Sequence, residues 1–229
     1  MQYAVLFISV FIGIAAARVF YSSQKNPTLL LAFSGAYLIS VSVLHLLPEI
    51  YHGHNHTIGL IVMGGFLFQV TLDFFSKGIE HGHHHSEDFS HGKLPIPAMA
   101  GLFIHAFFEG MPLGGEVGEK QTLLMAIVFH KIPITVVLYF LLANLKLKPA
   151  VFWTAIIGFA VMAPLGAWAG DFLMVSEEFQ QYVMAFVVGI FFHVSTTILY
   201  ETSKDHTFNI LKLLIVLLGV GLAYLTTMH

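Results

Sequence analysis

The chain has 229 residues, of which 57% are hydrophobic and only 10% charged, with a mean hydropathy of +0.80. A water-soluble domain of this length needs roughly a quarter of its residues charged, so the composition excludes one and points to a chain embedded in lipid. The absence of cysteine excludes disulfides, thiolate metal sites and cysteine nucleophiles, and a formal charge of −3 with no basic block excludes nucleic acid as a partner.

Apolar runs near the roughly 20 residues that cross a bilayer core recur along the whole chain. They predict an all-α polytopic bundle, a single transmembrane domain over residues 1–229, with spans at 2–20, 28–50, 58–76, 95–115, 121–144, 150–170, 179–201 and 207–227. The first run lacks a basic start and a small-residue cleavage site, so a retained helix is expected. The second closes on HLLPEIY, which places His45 and Glu49 four residues apart beside Pro48. The third carries Gly64 and Gly65; with Gly158 and Gly189 further on, these permit close helix contacts, within one chain or in a homodimer.

The connection after span three, 77–94, contains HGHHHSEDFSHG. Its histidines, His81, His83, His84, His85 and His91, read either as a solvated linker or as a weak metal-gathering loop, because clustered imidazoles bind divalent transition metals without fixed geometry. Basic residues set an orientation. Arg18, Lys25, Lys77, Lys93, Lys146, Lys148, Lys204 and Lys212 flank the odd-numbered connections, whereas the even ones hold Lys120 alone. By the positive-inside rule the odd loops, the His-rich one included, face the cytoplasm, and both termini lie outside a plasma or inner membrane.

Ionisable groups at membrane depth cost a few kcal/mol each on insertion scales, so they face a bundle interior or an aqueous path. Span four reads LFIHAFFEGMPLGG and puts His105 and Glu109 on one helix face, able to grip one ion. Span five reads AIVFHKIPITVV and adds His130 and Lys131. Pro112 and Pro133 each remove a backbone donor near these groups, as Pro48 does in span two. Span seven carries His193, Thr197 and Glu201 at successive spacings of four. The plainer alternative is a set of hydrogen-bonded interior histidines, with His105 and Glu109 an intrahelical pair; a third ligand type from the next helix favours an ion site. Lys131 needs a carboxylate partner, and Glu109 is the natural one.

These residues resemble the Zrt/Irt-like (ZIP) family of divalent metal transporters. HAFFEG in span four is similar to the family's His-Asn-x-x-(Asp/Glu)-Gly signature, and HKIP in span five to its proline-containing metal motif. HLLPE closing span two, GFLF opening span three and the His-rich loop agree. The resemblance implies a 3+2+3 arrangement with inverted repeats and a transport site on spans four and five. It further implies His105, Glu109 and His130 as metal ligands and uptake toward the cytoplasm by alternating access. His45, Glu49, His193 and Glu201 are then pathway candidates. Ala106, Lys131 and Ile134 depart from the family pattern at positions of further ligands, which points to one metal, with the Lys131 ammonium in place of a second. Such a protein holds no prosthetic group. Zn(II) or another first-row divalent ion is its substrate, metal binding weakens as pH falls because imidazole and carboxylate must shed protons, and its partners are that ion and the lipid bilayer. Two readings compete: a non-transporting relative acting as a metal sensor, and an intramembrane zinc hydrolase.

Overall fold

A computed structural model describes residues 1–22, 27–51, 57–76, 78–79, 92–114, 120–173, 176–202 and 210–227. Within these the chain forms eight helices long and apolar enough to cross a membrane: α1 (Gln2–Ser22), α2 (Thr28–Ile50), α3 (Thr57–Ser76), α4 (Ile96–Leu113), α5 (Gln121–Asn144), α6 (Pro149–Leu173), α7 (Glu177–Glu201) and α8 (Ile210–Thr227). Each lies within a few residues of a predicted span. Lipid offers no hydrogen bonds, so a spanning segment has to satisfy its backbone internally, and a helix does so.

The ends follow local chemistry. Ser176 caps α7 by accepting a 3.2 Å hydrogen bond from the Phe179 amide, with Glu177 and Glu178 in the first turn complementing the helix dipole. The prolines act differently from one another. Pro48 follows a π-helical stretch, Ser42–Leu46, in which the Leu47 amide reaches back to the Ser42 carbonyl. Pro112 lies in a 3-10 turn, Met111–Leu113, that ends α4. Pro133 sits inside an uninterrupted α-helix. Thus two of the three prolines expected to disturb their helices coincide with a change of helix type.

Helix pairing divides the bundle into two sets. In one, α1 packs on α5, α4 on α6 and α1 on α6; in the other, α3 packs on α7, α2 on α8 and α2 on α7. The pairings map onto each other when α1, α2 and α3 are exchanged with α6, α7 and α8, and α4 with α5. Consecutive spans alternate in direction, so this exchange, by five places for six of the helices and by one for α4 and α5, reverses every helix and makes the repeats inverted. The 3+2+3 order of the chain is therefore interleaved in space, with α2 against α5 and α3 against α4 joining the sets.

Glycines seat two of these pairs reciprocally. A Cβ at Gly65 would strike the Phe186 carbonyl on α7, and one at Gly189 would strike the Val62 carbonyl on α3. Gly110 and Gly166 interlock α4 and α6 in the same way, against Ala163 and Phe107. Gly158 of α6 rests on the Phe103 ring, whereas Gly64 faces open space. Three of the four small-residue positions singled out from sequence thus serve contacts within one chain.

Candidate metal centre

Side chains from the middle of α4 and the middle of α5 meet in the bundle interior. His105, Glu109, His130 and Lys131 are each at most 1% exposed. One ligand atom from each of His105, Glu109 and His130 lies within 4.8 Å of the other two, and this is the one such group of three or more metal-ligating side chains among the described residues. The two imidazoles stand edge to face, 5.9 Å between ring centres. As the spacing predicts, His105 and Glu109 share a face of α4, and His130 approaches from α5.

Lys131 turns to the same place. Its Nζ is 3.4 Å from Glu109 Oε2 and 4.6 Å above the centre of the Phe159 ring of α6. The pairing with Glu109 predicted from sequence is therefore present, and the aromatic face contributes a second electrostatic partner for the ammonium. The carboxylate divides its oxygens: Oε2 faces Lys131, while Oε1 is buried and makes no hydrogen bond to any described residue. Ala106 and Ile134, where the family pattern carries further ligands, are buried apolar residues.

Each imidazole is also held from behind. His105 Nδ1 lies 3.0 Å from Gln69 Oε1 on α3, and His130 Nδ1 lies 3.1 Å from Ser34 Oγ on α2. Both partners are buried. Neither was singled out from sequence, because uncharged polar residues are common inside membrane helices and nothing in the spacing shows which histidine they meet.

The remaining predicted site residues lie apart from this centre. His45 and Glu49 approach to 3.9 Å at the end of α2, and Glu49 lines a cavity of about 460 Å³ at that end of the bundle, with Pro112, Lys120, Glu177, Glu178 and Met184. His193 on α7 lies 2.6 Å from Asp73 on α3. Asp73 also escaped the sequence reading, although an acidic side chain in an otherwise apolar span is the signal that should have drawn attention. Glu201 ends α7, two turns beyond His193, at the opposite end of the bundle from Glu49. His81, His83, His84, His85 and His91 lie outside the described residues.

Eight apolar helices in inverted-repeat pairs, enclosing one buried cluster of two imidazoles and a carboxylate, define a polytopic membrane protein with the donor set for a divalent transition metal. The sequence model of the family described as ZIP zinc transporter matches residues 95–227, from the start of α4 to the end of α8 and including both metal-type motifs. The chain belongs to that family, and its general activity is metal transport. Compared with individual curated proteins, it has no match.

Proposed function

We propose that the protein carries Zn(II) across the membrane toward the cytoplasm, through one ion seat formed by His105 Nε2, His130 Nε2 and Glu109 Oε1. The convergence of three ligand atoms from two helices within 4.8 Å at a fully buried position supports this reading above all else. Zinc bonds of about 2.0–2.1 Å in tetrahedral geometry place ligands about 3.3 Å apart. Small side-chain rotations would close the present spacing around an ion, and water or a backbone oxygen supplies the open position.

A transporter seat has to release what it binds. The Lys131 ammonium competes with the ion for Glu109 and adds a positive charge beside it, so both effects keep the seat weak. The same ammonium fills the place and charge of a second ion, which favours a single-metal site. Access from alternate sides follows from movement of the α1/α4/α5/α6 set, which carries the whole seat, against the other four helices. Glu49 and the cavity beside it mark the outer approach, and Asp73, His193 and Glu201 the route to the cytoplasm.

The test is uptake of radioactive zinc by liposomes containing the purified chain. Uptake by the parent and its loss in both His105→Ala and His130→Ala is expected. A parent that moves none of zinc, cobalt or cadmium would overturn transport and favour the metal-sensor or zinc-hydrolase reading.

A further inference from the structure

Gln69 and Ser34 stand on the helix set opposite to the seat, in the first third of the chain, and each takes the Nδ1 of one histidine. We infer that these two residues are positioning residues which fix both imidazoles in the Nδ1–H tautomer, so that Nε2 carries the lone pair offered to the ion, and that they do so only while the two helix sets hold the register seen here. The inference rests on the reading of His105, Glu109 and His130 as the ion seat.

A neutral imidazole carries one proton on two nitrogens, and the hydrogen bond made by one nitrogen decides which of them remains a ligand. The Gln69 side-chain carbonyl is an acceptor and draws the proton of His105 to Nδ1. A hydroxyl can donate or accept, so the role of Ser34 follows from the seat: with His130 Nε2 assigned to the ion, the Ser34 oxygen accepts from His130 Nδ1–H. The opposite tautomer would aim an N–H at the metal position and abolish that ligand. Both partners are at most 1% exposed, so no solvent stands ready to replace them.

Their place in the fold adds a second consequence. Across the join between the sets near the seat, packing is otherwise largely aromatic: Phe68 and Phe186 against Phe108, and Phe33 and Tyr37 against Phe129. Aromatic faces slide with gradual change in contact, whereas hydrogen bonds of 3.0 and 3.1 Å are gone once the atoms stand about 3.6 Å apart. A displacement of under an ångström therefore unties both rings together, and the seat loses affinity as it leaves register. The choice of an amide and a hydroxyl also fits a labile site, since a carboxylate behind the ring would make the imidazole a stronger ligand.

The experiment uses the full chain in nanodiscs with ring-15N-labelled histidine, zinc as the probe, and a chelating dye to compete for it. The His105 and His130 signals, assigned by loss in the corresponding alanine variants, are expected to show a protonated Nδ1 and a bare Nε2. Gln69→Leu should scramble the tautomer of His105 alone and Ser34→Ala that of His130 alone, each weakening zinc by about 10- to 100-fold. Gln69→Glu should act in the opposite direction, tightening zinc and lowering KM and maximal uptake together in liposomes, an opposed pair of effects that general damage to the fold does not produce. Zinc affinity unaffected by His105→Ala would overturn the seat itself and the inference with it. Affinity lost in His105→Ala but unchanged in Gln69→Leu and Ser34→Ala, or an Nε2–H tautomer in the parent, would overturn the positioning roles alone.

Discussion

Lys131 and Glu109 form an ion pair of 3.4 Å with both side chains sealed from solvent, one on each of the two helices that carry the histidines. Breaking such a pair from one side strands a charge in a low-dielectric interior and costs about 3–5 kcal/mol. Glu109→Gln and Lys131→Met should each lower the denaturation midpoint of the metal-free protein in detergent, while the double variant recovers most of the loss. Additive losses in the double variant would show that the two groups do not act as a pair.

Reversing the charge at Lys131 tests what the ammonium replaces. In Lys131→Asp two carboxylates face each other beside two imidazoles, and mutual repulsion is relieved by a second cation. Elemental analysis of the zinc-loaded variant should give two bound zinc ions per chain against one in the parent. A single ion in both would mean that Lys131 does not stand in for a metal.

Reciprocal glycine seating makes a prediction about stability alone. Gly189→Ala and Gly110→Ala place a methyl group against a backbone carbonyl that cannot rotate away, and overpacking of this kind costs about 1–3 kcal/mol or more. Gly64→Ala and Gly221→Ala meet open space and should leave the thermal midpoint unchanged. The contrast between the buried and exposed glycines, measured side by side, is the check.

The parts of this architecture that were readable from sequence are those fixed within one helix. The spans follow from apolar run length, and the stacking of His105 on Glu109 follows from a spacing of four. The approach of His130 and Lys131 required only that polar side chains of successive helices turn to a common interior. Gln69 and Ser34 were out of reach for a different reason: their roles depend on α3 lying against α4, and α2 against α5, and no periodicity encodes which helices pair across a bundle. The π-helical stretch before Pro48 was equally hidden, since a proline announces a missing donor but not how the chain rearranges around it.

Asp73 and His193 form a pair 2.6 Å apart outside the cluster of His105, Glu109 and His130, and the proposed route makes a prediction about them. Both lie on the α3/α7 pair, with no ligand atom among the central three. His193→Ala should therefore slow maximal zinc uptake several-fold while leaving zinc affinity near that of the parent. A large loss of affinity in this variant would place His193 in the seat instead.

Orientation rests on the distribution of basic residues, and the lack of native cysteine makes it directly measurable. Glu177 and Lys146 are exposed at opposite ends of the bundle, at the start of α7 and just beyond the end of α5. Single cysteines at these positions report which end faces which compartment without background labelling. In intact cells Glu177→Cys should react with a membrane-impermeant maleimide, and Lys146→Cys should react only after permeabilisation. The reverse pattern would invert the protein in the membrane, place the cavity beside Glu49 on the cytoplasmic side, and turn the proposed direction of zinc movement from uptake to export.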